Sequence, residues 1–215
     1  MRIAYVVDVH DRFDSVPQAL EQIGYVDVLL VGGDLTNAGT PADAEHAIGL
    51  WKRLVPRVLA VAGNMDSPAI DERLAELGVA IDGRGELIED VGIGGISAAP
   101  RSHMHTPYEL DNDEIERRAD TALAAIRGAR VRIFCPHAPP YDTECDRLTS
   151  GEHVGSPVLR RLIEREQPDV VFCGHIHEAR GVDFVGETRI VNPGPVSAGH
   201  YALLDVGESL SLALE

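Results

Sequence analysis

Residues 57–68 read RVLAVAGNMDSP, and this short stretch contains the signals for a strand, a turn and a helix start. Its first six residues form a mainly apolar run that is typical of a strand covered on both faces. The run ends at Gly63-Asn64, where the strand gives way to a loop. Ser67-Pro68 then combines a capping hydroxyl with a proline at a position that needs no amide hydrogen, which predicts a helix start.

Four further apolar runs repeat this arrangement along the chain. With the first, they occupy residues 3–7, 26–31, 58–62, 131–135 and 170–173. Apolar residues at helical spacing lie between the runs, and Trp51 in one of these stripes is expected in the core. Two more helix starts carry the hydroxyl and proline pair, at Thr40-Pro41 and Ser156-Pro157. The alternation predicts strands of a parallel sheet with helices packed against it.

The pattern changes from residue 181 onward. The segments GVDFVG, TRIVNPG, HYALLDVG and SLSLALE are short and separated by turns, which predicts an antiparallel meander. Residues 81–97 have the same character, and residues 99–113, APRSHMHTPYELDND, predict a polar and less ordered loop. No repeat or linker divides the chain, so we interpret residues 1–215 as a single domain.

The composition is strongly acidic, with 35 Asp and Glu against 19 Lys and Arg and a net charge of −16. Such a surface repels polyanions, so we expect no tight binding to a nucleic acid polymer. No apolar run approaches the roughly 20 residues of a membrane span, and no signal peptide is recognisable; we therefore expect a cytoplasmic protein without a membrane partner. Cys135, Cys145 and Cys173 are expected to be reduced core residues. A homo-oligomer is compatible with the sequence.

Polar side chains follow all five apolar runs, at the point where each run ends. The set comprises Asp8, His10, Asp34, Asn64, His137, His175 and His177. Carboxyl ends of parallel strands face a common crevice, so these side chains are expected to converge. In extended backbone, residues i and i+2 point the same way, so Asp8 with His10 and His175 with His177 could each present two ligands. Each residue alone could equally be a turn former, a helix cap or a core histidine.

The residue types indicate which metal such a site would hold. Mixed carboxylate, amide and imidazole ligands suit Mn, Fe, Co, Ni or Zn better than Ca or Mg alone. Seven ligands are too many for one ion of this kind, but they fit two ions that share a bridging carboxylate. The sequence therefore predicts two divalent metal ions as cofactors, with Mn the first choice.

The order of these motifs closely resembles that of the calcineurin-like metallophosphoesterase superfamily: Asp-x-His, Gly-Asp, Gly-Asn-x-Asp, a His at a strand end and Gly-His-x-His. The resemblance implies a four-layer αββα sandwich, in which two mixed β-sheets face each other and helices lie outside. It also implies ligand roles: Asp8, His10 and His177 for one ion, Asn64, His137 and His175 for the other, and Asp34 as the bridge.

The resemblance further implies an activity. A hydroxide held between the ions would attack phosphorus in line, with His137 and His175 stabilising charge on the phosphoryl oxygens. We expect a metal-dependent phosphohydrolase that acts on small phosphorylated substrates, either phosphodiesters or activated phosphomonoesters. The alternative is a non-catalytic, metal-binding scaffold for protein interactions that has the same fold.

Met65 stands where the third motif of the family usually has a histidine. A thioether cannot donate a proton, so the usual acid for the leaving group is missing, which we interpret as the trait of a subgroup. His153 is the preferred replacement, because its loop leads into a helix start suited to phosphate, and His103 and His105 are further candidates. The alternative is that all three are solvated loop histidines. Asp66 is expected either to orient a ligand or merely to precede the helix cap.

Overall fold

The order of elements along the chain begins with three strand and helix units and ends with four strands. The structure, a computed structural model, describes all residues 1–215. The strands are β1 (Arg2–Val6), β2 (Val28–Val31), β3 (Arg57–Ala60), β4 (Arg84–Ile88), β5 (Val91–Ile96), β6 (Ala99–Pro100), β7 (Glu109–Leu110), β8 (Val131–Pro136), β9 (Val170–Phe172), β10 (Gly181–Val185), β11 (Thr188–Asn192), β12 (Ala202–Val206) and β13 (Leu210–Leu214). The α-helices are α1 (Ser15–Ile23), α2 (Pro41–Trp51), α3 (Pro68–Glu76), α4 (Asn112–Ile126) and α5 (Pro157–Glu166).

Two mixed sheets contain eleven of these strands. The first has the order β13-β12-β1-β2-β3, in which β1, β2 and β3 are parallel and the two strands of the β12–β13 hairpin run antiparallel to their neighbours. The second has the order β10-β11-β9-β8-β5-β4, with four parallel strands between two antiparallel edge strands. Strands β6 and β7 form a separate two-residue ladder.

Three apolar clusters divide the protein into four layers. Alternate residues of β1 face opposite ways, so Ile3 and Tyr5 pack between the two sheets, while Ala4 and Val6 pack against α1, α2 and α3. The third cluster joins the outer face of the second sheet to α4 and α5. The predicted four-layer αββα sandwich is therefore confirmed.

The helix starts follow the capping signals in the sequence. The hydroxyls of Thr40, Ser67 and Ser156 each accept a hydrogen bond from a backbone amide in the first turn of α2, α3 and α5. Helix α1 was not predicted, because no hydroxyl and proline pair marks its start. In the structure, its N-cap residue Asp14 makes no side-chain capping bond. Trp51 is fully buried at the end of α2, as predicted.

The single antiparallel meander predicted after residue 181 is wrong. The region forms two separate hairpins, β10–β11 in the second sheet and β12–β13 in the first. Short alternating strands specify a hairpin locally, but the sheet that each hairpin joins depends on pairing with distant strands: β11 with β9, and β12 with β1. Residues 81–97, expected to have the same antiparallel character, contain the antiparallel pair β4–β5.

Other predicted features concern the cysteines and the mid-chain loop. Cys135, Cys145 and Cys173 are buried free thiols, which confirms that interpretation. The predicted loop at residues 99–113 contains the short β6–β7 ladder, and Glu109 accepts hydrogen bonds from Ser102 and Thr106, which lie between the two strands.

None of the helices has both the length and the apolar character required to cross a bilayer.

Candidate metal centre

The structure brings together all seven side chains that follow the apolar runs. They lie just beyond the carboxyl ends of β1, β2 and β3 in the first sheet, and of β8 and β9 in the second. The site therefore lies across the edges of both sheets, where the ends of the parallel strands meet. Asp8, Asp34, Asn64 and His137 are buried, whereas His177 is the most exposed of the set.

One group of ligand atoms is formed by Asp8, His10 and His177, which all lie within 4.8 Å of one another. Nε2 of His10 lies 3.1 Å from Nε2 of His177, and Oδ2 of Asp8 lies 3.7 Å from the latter atom. Oδ2 of Asp34 is 3.7 Å from Nε2 of His10. These spacings are short enough for one small cation to contact the whole group.

A second group surrounds the amide oxygen of Asn64. Oδ1 of Asn64 lies 2.9 Å from Nε2 of His137 and 2.7 Å from Nδ1 of His175. Oδ2 of Asp34 is 3.5 Å from the same Nε2 atom of His137. Asp34 thus has one carboxylate oxygen beside both groups.

The backbone of this site differs from the sequence prediction. Asp8, His10, Asp34 and His175 have φ angles of 57°, 50°, 50° and 67°, in the left-handed region rather than the extended one. A side chain in this region costs about 1–2 kcal/mol, and such outliers concentrate at functional sites. The extended i, i+2 geometry expected for the two pairs is therefore wrong. Instead, His175 points to Asn64 while His177 points to His10.

The hydrogen bond made by one nitrogen of the His137 ring determines where the ring carries its proton, and the ligand atoms that result fit a cation. Nδ1 of His137 lies 2.8 Å from the carbonyl oxygen of Gly32, to which it donates, so Nε2 of the neutral ring carries a lone pair. That lone pair faces two oxygens, on Asn64 and Asp34, that are themselves acceptors. A proton or a metal ion between these atoms would satisfy all of them. Imidazole, carboxylate and amide ligands suit a first-row transition metal.

The pKa values of the ligand side chains reflect their burial and their closeness to one another. Burial disfavours a charged His137, but the nearby charge of Asp34 outweighs it and raises the pKa of His137 to about 9. Burial and the charge of His137 together lower the pKa of His175 to about 4. Burial likewise raises the pKa of Asp8. One imidazole therefore holds a proton near Asp34 when no metal ion occupies that position.

The motifs indicated a family, and a direct comparison tests this. A model of the calcineurin-like phosphoesterase family matches residues 1–179. The chain belongs to the calcineurin-like phosphoesterase family.

Individual relatives of the chain cover most of its length. An uncharacterized protein of Methanocaldococcus jannaschii is 31% identical over 92% of this chain and 89% of its own. A probable cyclic nucleotide phosphodiesterase of Synechococcus is 25% identical over 83% of this chain and 74% of its own. A crystal structure from Thermus thermophilus has a TM-score of 0.75 at 19% identity, covering 99% of this chain and 98% of that one. A dimetal phosphatase from Danio rerio has a TM-score of 0.62 at 10% identity, covering 100% and 95%. The two structures show that the fold is shared.

Supporting residues of this calcineurin-like phosphoesterase were missed by the sequence analysis. Nδ1 of His10 lies 2.8 Å from Oδ1 of Asn37, and Asn37 in turn donates from Nδ2 to Asp11. The backbone amide of Met65 donates to Oδ1 of Asp34 at 2.7 Å, which leaves Oδ2 for the two ligand groups. Asn37 lies in a loop of ordinary turn composition, so no sequence signal marks it; only the folded contact reveals its role.

Asp66, predicted as a candidate catalytic residue, lies behind the site of this phosphoesterase family member. It is fully buried and accepts hydrogen bonds from the amides of Leu35, Thr36 and Gly63 and from the hydroxyl of Thr36. It is absent from the cleft wall, so the structure gives it no contact with a substrate. Instead, Asp66 ties the loop that carries Asp34 to the loop that carries Asn64.

An open cleft of about 820 Å³ lies over the candidate metal centre of this calcineurin-like phosphoesterase. His10, Asp34, Asn64, His175 and His177 border it. Its walls come from the loop after β6, which includes His103, and from residues 148–154, which include His153. Met65, from the loop after β3, also borders it. His105 does not border the cleft. Both His103 and His105 are exposed, whereas His153 lies in a fixed setting described below.

Proposed function

We propose that this chain uses two divalent metal ions, with Mn²⁺ the first choice, to hydrolyse small phosphodiesters or activated phosphomonoesters. The observation that carries the proposal is the position of Asp34, whose Oδ2 atom lies 3.7 Å from Nε2 of His10 and 3.5 Å from Nε2 of His137. A carboxylate oxygen that lies beside both ligand groups is in a position to bridge two ions. The description of the Synechococcus relative as a probable cyclic nucleotide phosphodiesterase is consistent with this proposal.

Two ions bound at these residues would supply a hydroxide near neutral pH and would offset the charge of the phosphoryl oxygens. The protein contributes a site whose parts are already in place. The Met65 amide fixes the carboxylate of Asp34, and the carbonyl of Gly32 fixes the imidazole of His137. Because few groups must reorganise during the reaction, such a site stabilises developing charge effectively.

The cleft and the surface charge support a small substrate. About 820 Å³ is within the size range of sites that enclose small molecules. Glu109 and Glu152 add negative charge to the cleft wall, and the net charge of the whole chain is −16. Both features would repel a nucleic acid polymer but would affect a singly charged diester less.

The proposal is tested by turnover of bis-p-nitrophenyl phosphate and p-nitrophenyl phosphate, with protein loaded with Mn²⁺ or Ni²⁺. We expect turnover with two ions per chain, loss of turnover in EDTA, and recovery when Mn²⁺ is added back. Asp34→Asn should lower turnover by about 10²- to 10³-fold and should reduce the bound metal. Asp14→Asn is the matched control, because Asp14 is exposed and its side chain makes no capping bond.

The same measurements separate the enzyme from a scaffold. Two bound ions without hydrolysis of any ester would contradict the proposal and would favour the non-catalytic interaction scaffold. A screen over cyclic nucleotides, nucleotides, phospholipid headgroups and sugar phosphates should follow with the loaded protein. Neither fold nor ligand set identifies the natural substrate.

A further inference from the structure

The cleft contains a second ionisable pair, apart from the candidate ligands. Nδ1 of His153 lies 2.7 Å from Oδ1 of Asp146, whose side chain is completely buried. The side chain of His153 is 24% exposed and forms part of the cleft wall. The pair therefore consists of a buried carboxylate and an imidazole that is partly exposed to the solvent in the cleft.

The carboxylate of Asp146 is held by several other groups. It accepts hydrogen bonds from the amides of Thr143 and Gly155 at 2.8 Å, from the amide of Asp142 at 3.2 Å and from the hydroxyl of Thr143 at 3.3 Å. These bonds leave it little freedom to move. A carboxylate fixed in this way fixes the tautomer and the orientation of the imidazole to which it binds.

The other ring nitrogen of His153 has no hydrogen-bond partner. Its nearest carboxylate oxygen is Oδ1 of Asp142, at 3.9 Å, and the ring of Tyr141 packs edge-on against the imidazole at 6.0 Å between centroids. The hydrogen bond to Asp146 raises the pKa of His153; the charge of Asp142 adds to this effect, while burial and Arg147 oppose it. Because Nδ1 is bonded to Asp146, Nε2 of His153 has a proton to donate in the positively charged form of the ring, which is the form that Asp146 favours.

Met65 borders the cleft at the position where the motif resemblance implies a histidine, and its thioether cannot donate a proton. Among the cleft histidines outside the ligand set, His103 is exposed and has no orienting partner. His153 has both an orienting carboxylate and an unpartnered nitrogen. It borders the same cleft as Met65 but lies on a different loop.

We propose that His153 donates the proton to the leaving oxygen during phosphoester hydrolysis, and that Asp146 is its positioning residue; this inference rests on the proposed function. A water-derived oxygen forms a bond to phosphorus while the bond from phosphorus to the leaving oxygen breaks. The proton on Nε2 of His153 passes to that oxygen, which departs as a neutral alcohol. The imidazole then regains a proton from water.

Leaving groups of different acidity test this role. For methyl aryl phosphates, His153→Gln should lower kcat/KM for the phenol ester by about 10²- to 10³-fold, within the usual range for a general acid. The p-nitrophenyl ester should fall less than about tenfold, because p-nitrophenolate departs without a proton. His46→Gln, on the exposed face of α2, is the control for loss of an imidazole. An equal fall for both esters, or no fall, would overturn the assignment.

A second measurement does not depend on turnover. NMR titration of the metal-free protein should show a lower pKa for the His153 imidazole in Asp146→Asn than in wild type, and metal binding by His153→Gln should be unchanged. An unchanged pKa would remove the positioning role of Asp146. If no ester is hydrolysed by loaded wild type, the proposed function fails; if turnover persists with unaltered leaving-group dependence, only the role of His153 fails.

Discussion

Nε2 of His10 and Nε2 of His177 lie 3.1 Å apart, although the two residues are separated by 167 positions in the sequence. His10 follows β1 of the first sheet and His177 follows β9 of the second. A metal ion at this position would therefore connect the two sheets at their edges. The ion would add to the hydrogen bonds that already join the sheets there, such as those from Nδ1 of His137 to the carbonyl of Gly32 and from the His175 amide to Asp8.

Metal should accordingly stabilise the folded protein. At a free metal concentration 100 times Kd, binding adds about 2.7 kcal/mol to the free energy of unfolding. In a chain of this length, that corresponds to a rise in Tm of roughly 5–10 °C, measurable by circular dichroism with Mn²⁺ and with EDTA. His177→Ala should remove most of this rise, and His46→Ala should leave it intact. The same rise in both variants would contradict a ligand role for His177.

Asn37 should influence metal affinity without contacting the metal. It accepts the hydrogen bond from Nδ1 of His10 and so keeps Nε2 of that ring free of a proton. Loss of such an outer contact typically weakens metal binding by about 10- to 100-fold, and we expect this for Asn37→Ala in competition with a chelator. Asn112→Ala, at the exposed start of α4, is the matched control. Equal affinities of the two variants would show that His10 needs no orienting partner.

Met65→His should place a proton donor at the position where the motif resemblance implies a histidine. In the His153→Gln background, where the proposed acid is absent, we expect acceleration of alkyl esters by about 10-fold or more and a smaller effect on nitrophenyl esters, because only poor leaving groups need protonation. Met65→Leu, which changes shape but adds no proton, is the control. In wild type, where His153 is the proposed acid, Met65→His should have a smaller effect on alkyl esters. Equal acceleration of both ester classes would mean that no acid was lacking.

Asp66→Ala should be strongly destabilising. The substitution leaves the amides of Leu35, Thr36 and Gly63 without their acceptor inside the protein. Each buried donor left unpaired costs about 1–3 kcal/mol, so urea unfolding should show a loss of about 3 kcal/mol or more. Asp14→Ala should change the free energy of unfolding by less than about 0.5 kcal/mol. A similarly small change for Asp66→Ala would show that water replaces the carboxylate.

Asp71 should make stability fall with rising pH. Burial and the charge of Asp82 raise the pKa of Asp71 from 3.8 to about 6. The folded state therefore binds this proton more tightly than the unfolded state, so the contribution is favourable below pH 3.8 and is lost as pH rises to about 6.

The variant Asp71→Asn isolates that effect. We compare how much the free energy of unfolding falls between about pH 4 and pH 7. The fall should be smaller in Asp71→Asn than in wild type by about 2–3 kcal/mol, at roughly 1.4 kcal/mol per pKa unit. Urea unfolding at the two pH values measures the difference. Asp14→Asn, at an exposed carboxylate, should follow wild type. Parallel curves for wild type and Asp71→Asn would show that Asp71 titrates normally.

The sequence was sufficient for the five central strands and for the grouping of polar residues at their ends. Both depend on local signals: apolar runs, and the Gly63-Asn64 type of break. The sequence did not reveal the left-handed backbone at Asp8 and His175, because neither residue type is specific for that conformation. It also missed the buried pairing of Asp146 with His153, which requires a loop to turn back on itself.

The position of β1 has a consequence for synthesis. This strand lies between β2 and β12, with Arg2 opposite Asp205. On the ribosome, β1 must wait for the synthesis of β12 (Ala202–Val206) before one of its two edges is covered. Such long-range pairing slows folding, and an uncovered apolar strand is prone to associate with other nascent chains. Chaperone protection during translation should therefore matter more for this protein than for one whose first strand pairs only with its sequence neighbours.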